Sequence, residues 1–175
     1  ANQQAFPQLR SQVPGVGLPI ARACAVLSLA TACIHDLALG PYEGKETGET
    51  ALLRTLLDTF EPGEVVVFDR YYCSYMMLAL LTTRGVHVCT RQHAKRPIDF
   101  RRGQRLGPDD HRITWHRPNK PDWMSPHQYD QIPETLTLRE LQFQVQVPGR
   151  RVETITVLTT LTDPRVYSAA DIAEL

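Results

Sequence analysis

Asp69 closes the run Glu64-Val65-Val66-Val67-Phe68-Asp69-Arg70-Tyr71-Tyr72, in which β-branched apolar residues deliver a carboxylate to the tip of a strand. A strand core holds such a side chain rigidly while its tip faces an open crevice, which is where α/β sheets place catalytic and ligand-binding groups. A strand-end aspartate also serves simply to cap the next helix, and both roles stay open at this point. A second chemistry lies further on. Arg84, Arg91, Lys95, Arg96, Arg101, Arg102 and Arg105 stand against Asp99 as the only acid of that stretch, a composition suited to phosphate contacts or to a solvated rim. Trp115, Trp123 and Tyr129 alternate with Arg112, His116, Arg117 and Lys120, so they either stack on bases or anchor a proline-rich loop. Cys24, Cys33, Cys73 and Cys89 have no CxxC spacing and read as reduced core residues, not zinc ligands or a disulfide frame.

The elements that must position Asp69 can be read from periodicity. Pro62-Gly63 supplies the turn before its strand, and Ser74 to Thr83 carries Met76, Met77, Leu80 and Leu81 at helical spacing after it. The strand is expected to be interior and buried on both faces. Upstream, Ala1 to Pro19 is an irregular polar lead-in, and Ala21 to Thr31 with Ala32 to Leu39 reads as two antiparallel strands, Asp36 in the second. Leu52, Leu53, Leu56, Leu57 and Phe60 form one stripe of an amphipathic helix over Thr50 to Phe60, expected to pack on the Asp69 sheet. Downstream come a turn at Gly85 and a strand from Val86 to Thr90. Gly107 to Pro133 reads as a long excursion. Thr135 to Val147 alternates with one skip at Glu140-Leu141 that predicts a bulge, and after a turn at Pro148-Gly149-Arg150 alternation resumes from Arg151 to Leu161 as the second half of a hairpin. Ser168 opens a capped helix.

The chain has 175 residues, 42% of them hydrophobic, enough for one substantial core. Formal net charge is zero from 19 basic and 19 acidic residues, so the global balance argues neither for nor against nucleic acid. No apolar run reaches membrane-spanning length and no basic region precedes an apolar one at the start. These features predict a cytosolic or nucleoid-associated protein without a membrane partner. The absent initial methionine and the close at Glu174-Leu175 read as a piece of a longer protein.

The succession Gly40-Pro41-Tyr42, Gly44-Lys45, Thr47-Gly48-Glu49, Val65 to Ser74, Arg91-Gln92-His93 and Asp99-Phe100-Arg101-Arg102-Gly103 resembles the DDE transposases of the IS4 family. The individual words are weak, while their order and spacing over nearly the whole chain are specific. The resemblance implies a ribonuclease-H-like α/β core interrupted by a β-rich insertion, divided as a partial core at 1–92, the insertion at 93–163 and a returning core helix at 164–175. It implies three carboxylates that bind Mg²⁺ or Mn²⁺ and drive hydrolysis and strand transfer at insertion-sequence ends, with duplex DNA, transposon ends and target, as substrate and a homodimer as the working state.

Asp69 matches the second of those carboxylates. The first belongs to a strand upstream of the segment resembling Ala1 to Pro7, and the third to a helical Tyr, Arg, Glu, Lys signature that would start after Leu175; Asp36 and Glu174 match neither position. By this reading residues 1–175 alone lack the first core strand and the last helix, hold no metal and are inactive, and their sheet exposes an edge. The candidate DNA contacts are Arg70, Arg91, Lys95, Arg96, Arg101, Arg102 and Arg105, expected beside the Asp69 crevice. Arg101 and Arg102 could instead pair with acids such as Asp109 and Asp110. Two readings from other classes remain: a non-catalytic nucleic-acid-binding domain of a transposase-derived protein, and an interaction domain in which Asp69 only caps.

Overall fold

A computed structural model describes residues 2–93, 95–146, 149 and 152–175. The chain divides into two compact units, Ala1–Phe60 and Glu61–Leu175. In the first, a single helical turn, Asn2–Ala5 (α1), precedes an antiparallel pair, Ala21–Leu27 (β1) and Ile34–Pro41 (β2), as the β-branched pattern predicts. Period-two alternation puts Cys24, Ala38 and Gly40 on one face, and the helix Glu49–Thr55 (α2) packs there through Ala51, Leu52 and Leu53. The helix comes so close that a Cβ on Gly40 would sit 3.0 Å from Leu52. The helix read over Thr50 to Phe60 is expected on the Asp69 sheet; α2 instead packs on this two-stranded pair, and the stripe continues past it as a 3₁₀ turn, Leu57–Thr59. Thr55 marks the change: its hydroxyl turns back onto the Leu52 carbonyl at 2.7 Å.

The second unit is built on a six-stranded sheet. Its strands are Val65–Phe68 (β3), His87–Arg91 (β4), Gln104–Gly107 (β5), Asp110–His116 (β6), Thr135–Val145 (β7) and Glu153–Thr159 (β8), in the order β3-β4-β8-β7-β6-β5. Only β3 and β4 are parallel, and the helix Tyr75–Thr82 (α3) makes the crossover between them. Ser74 caps α3 by accepting the Met77 amide, and Leu78, Ala79 and Leu81 are fully buried. Gly85, at φ +75°, reverses the chain so that Val86 returns a hydrogen bond to the Leu81 carbonyl at 3.1 Å. Two short helices complete the unit, Pro126–Gln131 (α4) and Ala169–Glu174 (α5), each opened by a serine capping box.

Three further expectations are corrected. β3 is a strand, but it lies at the sheet edge with Val65 36% and Val67 42% exposed, so it is not interior and buried on both faces. Its valines report β propensity, and burial depends on a second neighbour that no other described strand supplies. The excursion from Gly107 to Pro133 contains the seven-residue strand β6 and the helix α4. β6 escaped notice because its inward residues include Asp110 and His111, both buried.

The skip at Glu140-Leu141 is not a bulge. β7 pairs without a register shift to β6 on one side and β8 on the other. Leu136 and Leu138 are buried on one face, and Leu141 on the other joins Cys89, Leu161 and Ile172, with Phe143 and Val157 packed against them. The apolar side of the strand changes over at Arg139 and Glu140 while the backbone stays regular. The predicted β7–β8 hairpin is present from Val145 opposite Glu153 inward. Val147, Pro148, Arg150 and Arg151 of the predicted strand ends and turn lie outside the described residues.

Candidate functional site

β3 ends at Phe68, and Asp69 follows in extended conformation as the cap of a 3₁₀ turn, Arg70–Tyr72. Its Oδ1 accepts the Tyr71 amide at 2.9 Å, so the capping role is real. The side chain is nevertheless exposed, and it lines an open cavity of about 620 Å³ with Val67, Arg91, Phe143, Val157 and Ile172. The sheet explains this grouping. Arg91, Val157 and Leu141 sit opposite one another across β4, β8 and β7 and project to one face, and α5 covers part of that face through Ile172. The walls are mostly apolar. Asp69 and Arg91, whose guanidinium pairs with Glu153, supply the charge.

A carboxylate in this position can ligate a hard divalent cation through its oxygens, but one such group does not replace the cation's water shell. Among the described residues no cluster of three or more His, Cys, Asp or Glu side chains is placed to hold a metal ion. Asp36, expected near Asp69 in one sheet, belongs to the separate two-stranded sheet. There it accepts the Thr59 hydroxyl at 2.7 Å and the Leu37 amide at 2.7 Å, and these bonds hold its carboxyl below the usual range. Glu174 lies in α5 and is exposed.

The basic candidates separate between faces. Arg91 joins the Asp69 cavity, and Arg70 is exposed directly beside it in sequence. Gln92 begins the opposite alternation, and Arg96 and Arg102 line a second cavity of about 350 Å³ with Gln92, His111, Trp115 and Glu140 on the other face of the sheet. Arg96 lies over the Trp115 ring at 3.6 Å, so this indole is occupied by a cation from its own chain. Arg101 and Arg102 pair with Asp99, not with the acids Asp109 and Asp110 named from sequence. Lys95 is exposed, and Arg105 donates to the Gly107 carbonyl at 3.1 Å. Of the aromatic candidates, Tyr129 lies under Arg117 at 4.2 Å and bonds the Pro118 carbonyl, which makes it a loop anchor.

Two buried polar networks lie between these faces, and periodicity did not reveal them. Asp110 takes a bidentate pair from Arg139 at 2.8 and 2.6 Å, and Arg139 also holds the Tyr167 carbonyl at 2.6 Å. On the opposite face Glu140 receives Gln92 Nε2 at 2.7 Å and meets His111 Nε2 at 2.7 Å. The available signal was the doublet Asp-His in one run and Arg-Glu in another, two complementary charge pairs at positions where strands turn inward. None of the four cysteines forms a disulfide, Cys24, Cys73 and Cys89 are buried as expected, and burial pushes the Cys89 thiol up to about 11. Cys33 departs from the core reading: it is exposed in the β1–β2 loop.

A central mixed sheet flanked by helices, with a carboxylate emerging at a strand end over an open cavity, defines a mixed α/β fold. The profile of the transposase DDE domain matches residues 15–175, and the chain belongs to that family, whose members carry out DNA transposition of insertion sequences and other mobile elements. The searches of curated proteins and of solved structures returned no match. No described helix is long and apolar enough to cross a membrane.

Proposed function

We propose that residues 1–175 are part of an IS4-type DDE transposase that cuts and rejoins insertion-sequence ends by metal-dependent phosphodiester hydrolysis and strand transfer. The carrying observation is Asp69, exposed at the end of β3 over an open cavity inside a chain of the DDE family. In this reading the fold is a ribonuclease-H-like core with a β-rich insertion after residue 92, and Asp69 is the second carboxylate of the triad. The cofactor is Mg²⁺ or Mn²⁺, and the substrate is duplex DNA held by a homodimer.

The described residues do not by themselves fit the metal. One oxygen of Asp69 is engaged by the Tyr71 amide, and no second carboxylate shares its cavity. Paired divalent ions about 4 Å apart need several carboxylates, so the others must come from outside residues 1–175. What the residues in hand contribute is the placement of one carboxylate and of cations for the DNA backbone: Arg70 and Arg91 near Asp69, and Lys95, Arg96, Arg101, Arg102 and Arg105 along the segment that follows β4. Phosphate contacts of this kind fix register without reading sequence.

The capping bond favours a second reading, a transposase-derived domain that binds nucleic acid without cutting it, because a cap needs no metal. Asp69→Asn separates the two, since asparagine keeps the acceptor for the Tyr71 amide and loses the charge. In the longer protein supplied with Mg²⁺ and an insertion-sequence end, this variant is expected to bind DNA normally and to lose strand cleavage. Cleavage at the parental rate by Asp69→Asn would overturn the assignment of Asp69 to the triad.

A further inference from the structure

His111 is the most enclosed titratable ring of the second unit, and it bears on a loop it does not belong to. Its side chain is 1% exposed at the floor of the cavity that Arg96 and Arg102 line. Both ring nitrogens face acceptors: Nδ1 lies 2.7 Å from the Arg102 carbonyl and Nε2 lies 2.7 Å from Glu140 Oε2. A carbonyl can only accept, so Nδ1 carries hydrogen and donates to the backbone of residue 102. Glu140 fixes the ring in that orientation and is itself held by Gln92 Nε2, whose backbone amide is tied to the Thr156 carbonyl at 2.8 Å. Gln92 Oε1 remains buried without a partner, so this amide is spent on holding Glu140.

The turn on the far side is fitted to the same ring. The Phe100 ring lies 4.6 Å from the imidazole. Gly103 takes φ +75°, and a Cβ there would stand 2.2 Å from the Arg112 carbonyl, so the turn rests against β6 at a separation only glycine allows. The Arg102 amide closes the turn onto the Asp99 carbonyl at 2.9 Å. Above this fixed backbone the Arg101 and Arg102 side chains are 91% and 85% exposed, both paired to Asp99. Surface pairs of this kind contribute little and are screened by salt, so a phosphate can displace Asp99 at slight cost.

We propose that His111 is a positioning residue: clamped by Glu140, it holds the Arg102 carbonyl and so fixes where Arg101 and Arg102 present their guanidinium groups to a DNA backbone. The inference rests on the DNA-binding reading above, to which it adds a rigid mount for two of the cations. Rigidity matters because a preorganised cation loses less conformational freedom on meeting a phosphate.

The test pairs amide exchange with DNA binding. His111→Phe combined with Glu140→Met removes the clamp without leaving a buried charge. Relative to the parent, the Arg102 amide of this double variant is expected to exchange at least about tenfold faster. Its affinity for a mixed-sequence DNA duplex should fall, with the salt slope reduced by about one to two units, as if one or two phosphate contacts were lost. Glu140→Gln, whose amide can donate to Nε2 and still accept from Gln92, is the conservative rescue and should keep parental exchange at Arg102.

Should the double variant fail to fold, Phe100→Ala removes the other grip on the turn and is expected to move both readouts the same way. A parent that does not bind duplex DNA overturns the DNA-binding reading and the proposal with it. A parent that binds, beside a folded clamp variant or Phe100→Ala with unchanged exchange and an unchanged slope, overturns the positioning proposal and leaves the reading in place.

Discussion

Arg139 is almost wholly buried, and its guanidinium meets Asp110 with two nitrogens and the Tyr167 carbonyl with a third. A charge in that position is tolerable only while its partner remains. Asp110→Ala is therefore expected to cost about 3–5 kcal/mol in urea unfolding, while Asp110→Leu combined with Arg139→Met should lie close to the parent or above it. A second residue pair gives a pH signature. Asp163 accepts from the Arg165 guanidinium and the Arg165 amide, which with nearby Arg112 hold its carboxyl down to about 2 from the ordinary 3.8. A depressed carboxylate contributes stability that is present above its unfolded pKa and is lost as pH falls from about 4 to about 2. Because the pair lies at the surface, where solvent screens it, the readable quantity is the titration itself: Arg165→Ala should move the Asp163 carboxyl resonance midpoint up toward 3.8. The Asp110–Arg139 pair was not legible in the sequence, because its members are 29 residues apart and nothing local joins them. Asp69 was legible for the opposite reason, since the valines that place it precede it directly.

At the scale of elements, sequence reading succeeded where an element's own residues decide its conformation. α3 is such a case, read from the helical spacing between Ser74 and Thr83 and the turn at Gly85, and the structure has both the helix and the turn, with Ser74 as its cap. Ser74→Ala should cost about 1 kcal/mol by thermal or urea unfolding, because the Met77 amide loses its acceptor at the buried start of the helix. A change far below that value would mean that packing around α3, not its cap, sets where the helix begins. Reading failed where pairing decides. β3 and an interior strand have the same composition, and only its position beside β4 alone exposes Val65 and Val67. β7 misled in a subtler way, because a change of buried face and a bulge both interrupt alternation, and neighbours on both sides are needed to tell them apart.

For the molecule as a whole, the division after Phe60 makes a direct prediction. Residues 61–175 contain the entire six-stranded sheet, α3 and the cluster around Leu141, so expressed alone they should melt in one cooperative transition by circular dichroism. A broad, featureless melt would show that residues before Glu61 are needed to complete that core. The adjacent charges at Arg139 and Glu140 bear on how this unit assembles. In the native alignment Glu140 stands opposite His111 and Arg139 reaches Asp110, so both buried charges are answered from β6. Sliding β7 by two residues preserves the facing of every side chain, yet brings Glu140 opposite either Asp109 or Ile113 in place of His111. Each slip strands a buried charge at a cost of several kcal/mol. A long antiparallel pair rich in leucine would otherwise accept several alignments with similar energies. The two doublets thus act as a combination lock on strand assembly, turning near misses into high-energy states that the folding chain abandons.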